Sequence, residues 1–203
     1  MKSSGTQSRP YVMGKRASSA AETGRRILQS TLDLFMEGPL ANVTLAAVAE
    51  RAGVTVQTVI RRFGDRTGLI NATAQYSTAN VASQRDAAPA GDVAAVVDNL
   101  VEHYETTGRL ALKLLAEEET SPVMAAITAG GREYHRQWCD RVFAPFLEAP
   151  FVEDGPGRAR RLAQLVALCD VYTWKLLRLD AGLSRDEVAV SLLEMLGPFT
   201  RRP

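Results

Sequence analysis

Two short helical patterns, separated by only a glycine, a valine and a capping threonine, constrain this chain more than any other feature. Thr44 is a good N-cap for Leu45 to Ala52, where Leu45, Val48, Ala49 and Ala52 recur at i, i+3, i+4 and i+7. Gly53 supplies a left-handed C-terminal turn, and Thr55 caps the next helix only two residues later. Val43 is placed to staple to Val48, and Val54 to Val59, which fixes the entry of the chain into each helix. The spacing predicts a tight helix-turn-helix from Thr44 to Phe63.

The second helix divides into two faces. At about 100° per residue from Gln57, Arg61 falls near 40°, Thr58 near 100° and Arg62 near 140°. Val59, Phe63, Val56 and Ile60 fall between about 200° and 300°, and this apolar half is expected to pack on the two preceding helices. Thr55, Gln57, Thr58, Arg61 and Arg62 then point outward, as residue types that bond adenine, guanine or phosphate in a major groove. The bland alternative is a solvated face on an ordinary helical hairpin. It requires two stapled caps, a glycine turn and a local basic excess to coincide without purpose.

That basic excess is hidden in the total. The chain carries +1 overall, but residues 1–66 hold ten Lys or Arg against five Asp or Glu, which gives +5. The remainder has fourteen bases against eighteen acids and sums to −4. A basic head attracts a phosphate backbone, while an acidic body limits indiscriminate sticking.

Strand signals are nearly absent, so the fold class expected is all-α, with about nine helices. Residues 1–20 are polar and Ser-rich and read as a flexible basic arm. Its Lys2, Arg9, Lys15 and Arg16 suit a minor groove, and a solubilising tail is an equal alternative. Residues 21–66 read as a three-helix DNA-binding domain, opened by a helix over 21–36 that Gly38 and Pro39 end. Residues 67–203 read as a helical body. Helices are expected there at 66–85, 92–106 (broken by Gly108), 110–118, and from Pro122 toward Phe146, interrupted at Gly130-Gly131. A loop over 148–157 precedes the last two helices, 158–179 and 185–196. The first of these is apolar over almost its whole circumference, which implies burial on two sides, and Ser184 with Glu187 forms a capping box for the second.

The stretch NVTLAAVAERAGVTVQTVIRRFGDRTGLI resembles the DNA-binding head of TetR/AcrR-type transcriptional regulators, in register over about residues 22–72. The resemblance implies a homodimer on double-stranded operator DNA, a four-helix bundle formed by the last two helices and their partners, and an effector cavity among the middle helices. It maps Thr44, Thr55, Gln57, Thr58, Arg61, Arg62 and Arg66 onto DNA-contact positions. Two departures stand out. Ile60 replaces a Tyr common in the family's recognition helix, and Val56 then Gln57 stand where many members have Lys near the helix start.

Within that reading Gln57 and Arg61 read bases, while Thr44 and Arg66 position the backbone. Tyr104, Met124, Tyr134, Trp138, Phe143, Tyr172 and Trp174 lie on the helices that would surround a cavity, and serve equally well as plain core. They suit a sizeable, mostly apolar small-molecule effector. Leu165, Leu168, Tyr172, Val188, Leu192 and Met195 are the expected dimer contacts. The regulator is expected to be a repressor released by ligand, with a ligand-dependent activator as the alternative. A helical interaction protein without DNA binding is the third reading.

An enzyme is not expected, because no P-loop, GxSxG, HExxH or Gly-rich nucleotide fingerprint occurs. His103 and His135 are far apart, and Cys139 and Cys169 lie in apolar helical patterns without CxxC spacing, so neither metal nor cofactor is expected. No apolar run approaches a membrane span and the N-terminus lacks a secretory h-region, so a cytoplasmic protein is expected.

Overall fold

The computed structural model describes residues 9–148 and 156–200, with side chains from residue 18 onward. Lys2 and most of the loop over 148–157 lie outside the described residues. The described residues form nine α-helices in order: α1 Arg9–Glu37, α2 Leu45–Ala52, α3 Val56–Phe63, α4 Arg66–Arg85, α5 Val93–Ala116, α6 Pro122–Val142, α7 Pro156–Leu168, α8 Val171–Lys175 and α9 Arg185–Thr200. No strand occurs among the described residues, and none of their helices is long and apolar enough to cross a membrane. Contacts divide the chain into one unit ending at Tyr76 and a second beginning at Ser77, so α4 belongs to both.

In the first unit α1 packs on α2, and α2 on α3. Ile27, Thr31 and Phe35 of α1 recur at four-residue spacing and are buried with Val43, Val48, Ala49, Ala52, Val59 and Leu69. The helix α1 begins at Arg9, well ahead of the expected residue 21, so residues 9–20 are helical rather than an irregular arm. The cause lies in composition. Between Pro10, tolerated in a first turn, and Ala20 there is no second proline to stop a helix, and the serines and Gly14 weaken it without breaking it.

The second unit is built around α5, which packs on α6, α8 and α9. Its core joins Val96, Val97, Leu100, Val101 and Tyr104 of α5 to Trp138, Cys139 and Val142 of α6, Leu162 and Leu165 of α7, Trp174 of α8, and Val188, Leu192 and Leu196 of α9. Two expected breaks do not occur. Gly108 does not end a helix: α5 runs through it, and the position is a slot for the Trp174 ring, whose nearest carbon would lie 2.5 Å from a Cβ there. Gly130 and Gly131 likewise leave α6 continuous, with open space where a Cβ would stand.

The expected helix over 158–179 does break, at Cys169 and Asp170. Asp170 is extended (ψ 155°) and its carboxylate accepts from Tyr172 N at 2.9 Å, starting α8. The carbonyls freed at the break find side chains. Tyr104 Oη donates to Cys169 O at 3.0 Å and Thr173 Oγ1 to Ala167 O at 2.7 Å. A π-helical turn, Leu176–Asp180, then leads into α9, whose capping box forms as expected: Ser184 N donates to Glu187 Oε2 at 2.7 Å and Glu187 N to Ser184 Oγ at 3.3 Å.

Candidate nucleic-acid interface

Both caps of the helix-turn-helix are made. Thr44 Oγ1 accepts from Ala47 N at 3.1 Å and Thr55 Oγ1 from Thr58 N at 3.2 Å. Gly53 takes φ 63°, the left-handed conformation that turns α2 into α3 at no steric cost. Asp65 caps α4, its carboxylate accepting from Gly68 N at 2.8 Å. Gly68 has no room for a side chain, since a Cβ would stand 2.1 Å from Phe63 O.

The outward face of α3 differs from the expected one. Only Val59 is buried; Val56 and Ile60 are each 39 % exposed. An eight-residue helix packing chiefly on α2 buries a narrow stripe centred on Val59 and Phe63, not the full apolar half. The exposed surface therefore carries Val56, Gln57, Ile60 and Arg61 side by side, two apolar residues between two polar ones. Gln57 and Arg61 have no hydrogen-bond or ion-pair partner among the described residues. Thr44 and Thr55 are exposed beside them, and Thr58 is half-buried, its hydroxyl 2.9 Å from that of Thr55.

Two of the arginines expected to face DNA are used inside the unit. Arg62 crosses Gly24 of α1 and donates to Ala20 O at 2.8 Å. Arg66 donates through Nε to Val43 O at 2.7 Å and through Nη2 to Leu40 O, holding the turn that leads into α2. Arg26 does similar work at the other end of α2, donating to Ala52 O at 2.8 Å, and Arg51 pairs with Glu37. These four guanidiniums were invisible as fasteners because each partner is a carbonyl or carboxylate far along the chain.

Replacing Arg66 with Met is accordingly expected to cost the N-terminal unit about 2 kcal/mol by leaving two carbonyls short of a charged donor. Urea unfolding would show this, and the salt dependence of DNA binding should keep its slope. Unchanged stability with a slope shallower by about one would make Arg66 a phosphate contact instead.

In the body, Tyr104, Met124, Trp138, Phe143 and Trp174 of the expected cavity set are buried. Tyr134 is half-buried and donates to Asp86 Oδ1 at 3.2 Å, and Tyr172 is 52 % exposed, outside the core. Among the expected dimer contacts, Leu165, Val188 and Leu192 belong to this chain's own core, whereas Leu168 is half-buried and Met195 joins Tyr172 at the surface. Helices α8 and α9 with the turn between them expose Leu176, Val190 and Leu193 as well. The periodicity that marked an apolar helix could not say which apolar stripe faced inward, because the break at Asp170 resets it.

A capped helix-turn-helix on an all-helical frame is the architecture of the helix-turn-helix class of DNA-binding proteins. Residues 27–73 match the family model for bacterial regulatory proteins, tetR family. The whole fold is similar to a transcriptional regulator from Rhodococcus sp. Rha1, with a TM-score of 0.67 at 18% identity over 89% of this chain and 99% of that one. It is similar also to NalD of Pseudomonas aeruginosa, the secondary repressor of the MexAB-OprM multidrug efflux pump (TM-score 0.61, 18% identity, 90% of this chain and 98% of that one). No curated protein is significantly similar. The family match covers the helix-turn-helix segment, and the likeness to the solved structures shows the fold of the chain.

Proposed function

We propose that this regulator represses transcription by binding a two-fold symmetric operator as a homodimer, and that a small molecule held in its helical body releases it. The observation that carries the reading is the unpartnered outer face of α3, where Gln57 and Arg61 are exposed beside two capping threonines. Gln57 is suited to adenine and Arg61 to guanine, and Thr44 at the start of α2 is suited to phosphate.

Val56 and Ile60 belong to the same reading. An exposed aliphatic side chain between two polar readers fits the C5-methyl group of thymine, the one apolar feature of the major groove. Replacing thymine by deoxyuridine in each half-site is expected to weaken binding by about 1 kcal/mol per contacted methyl, near 0.8 kcal/mol per buried CH₂-sized group. A Val56→Ala, Ile60→Ala protein should lose that discrimination; equal affinity of the natural protein for both duplexes would contradict it.

Dimerisation is assigned to the exposed apolar surface of α8 and α9, where Tyr172, Leu176, Val190, Leu193 and Met195 leave large side chains in water. The effector acts by population shift, favouring a dimer whose recognition helices no longer fit half-sites about 34–36 Å apart. A gel-shift titration with DNA upstream of the protein's own coding region tests the reading, and footprinting there reveals operator, spacing and symmetry together. Absence of any protected sequence, with protein shown to be folded and dimeric, would overturn it.

A further inference from the structure

The helical body holds a buried guanidinium that no carboxylate among the described residues pairs with. Arg85, the last residue of α4, is 2 % exposed. Its guanidinium lies over the indole of Trp138, 3.9 Å from the ring centroid, and Nη2 meets His135 Nδ1 at 3.2 Å. Its Nε is buried with no hydrogen-bond partner. Among the described residues no carboxylate lies within ion-pair distance of it, although seven other arginines or lysines are so paired: Arg51, Arg132, Arg141, Arg158, Lys175, Arg178 and Arg185. Buried arginines are ordinarily paired, because an isolated charge gives up its hydration for nothing.

No neighbouring carboxylate among the described residues supplies an anion, and the two histidines beside the guanidinium bring none. His135 lies between Arg85 and Val166, its Nδ1 3.2 Å from Arg85 Nη2 and its Nε2 3.2 Å from Val166 O. His103 is pushed down to about 3, first by burial and then by the Arg85 charge. Helix capping does not explain the guanidinium either. The carbonyls ending α4 are already served, Arg85 O by Trp138 Nε1 at 2.9 Å and by Arg141 Nη2 at 3.4 Å, and Ala88 O by Arg141 Nη1 at 3.2 Å.

We propose that Arg85 is the anion receptor of the effector site, and that the effector is an organic carboxylate with an apolar body. This rests on the reading that the helical body takes a small molecule. Stacking on Trp138 occupies a face of the guanidinium and leaves its edge, where Nε is unpartnered, for in-plane bonds; a planar carboxylate matches that fork. The carboxylate gives the guanidinium the ion-pair partner it lacks, and the apolar remainder of the molecule lies against the aromatic side chains that include Trp138 and Tyr104.

The test uses the full chain without DNA and two probe pairs, octanoate with octanamide and benzoate with benzamide. Binding is read by thermal shift and by fluorescence of the two tryptophans. Each acid is expected to bind at least tenfold more tightly than its amide. Arg85→Gln should erase that preference and Arg85→Lys keep part of it. Equal binding of acid and amide, no binding of any probe, or an acid preference that survives in Arg85→Gln would overturn the proposal; the first two need no variant that must fold. Operator release separates the two readings: acids that bind without releasing operator sink the effector role and leave the anion site, whereas amides that release operator as well as acids do the reverse.

Discussion

Replacing Gln57 and Arg61 together with alanine is expected to abolish sequence-specific DNA binding while leaving the protein as stable as before. Each side chain is exposed and free of partners among the described residues, so truncation removes nothing from the folded unit. In the groove each would make a bidentate contact with a base, worth about 1–3 kcal/mol of discrimination. Loss of both therefore amounts to about 2–6 kcal/mol, or at least a thirty-fold fall in affinity for the preferred sequence. Non-specific binding should decline far less, because other basic residues of the head still attract phosphate. Competition between operator and scrambled duplexes, alongside a melting curve, checks both halves. An unchanged preference for the operator would remove α3 from base recognition.

Substituting Gly108 with Leu is expected to be the most damaging single change in the helical body. A Cβ at that position would lie 2.5 Å from the Trp174 ring, which is itself buried and donates to Glu105 Oε1 at 3.1 Å. Neither ring nor backbone has room to yield, so α8 must separate from α5 at a cost of about 3 kcal/mol or more. Gly130→Ala makes the instructive comparison. That glycine is helical, exposed and faces open space, so alanine should stabilise α6 by about 0.5–1 kcal/mol. Urea midpoints of the two variants should therefore move in opposite directions; a matching loss in both would mean that these glycines act through helix propensity alone.

Those two glycines also show where reading the chain by itself ran out. A glycine in a helical pattern looks like punctuation whether it breaks the helix, weakens it, or clears a path for a ring 66 positions away, as Gly108 does for Trp174. Local chemistry was legible. The caps at Thr44 and Thr55, the left-handed Gly53, the bounds of α2, α3 and α4, and the Ser184–Glu187 box all depend on neighbours within four residues. Everything decided by distant partners was not. The guanidiniums of Arg62 and Arg66 turn inward to carbonyls of Ala20 and Val43, and the end of α7 is made acceptable by the Tyr104 hydroxyl on Cys169 O.

The same distinction sharpens the recognition surface. Periodicity placed Val56 and Ile60 in the apolar half of α3, but burial is set by how much neighbouring helix there is to pack against, and α3 has little beyond α2. Their exposure leaves two aliphatic side chains on the outer face, which the proposed function uses as contacts to thymine methyl groups. Among the described residues of the head, Arg26, Arg51, Arg62 and Arg66 fasten the fold, whereas Arg61 of α3 faces outward.

The most direct test of the account is selection of bound duplexes from a random double-stranded pool by the full chain, followed by titration of the winner and a scrambled control between 50 and 200 mM salt. The account predicts a sequence of two inverted half-sites, bound about 10³-fold or more tighter than the control, with affinity falling steeply as salt rises. Recovery of no common sequence, or equal affinity for winner and control at every salt concentration, would contradict it.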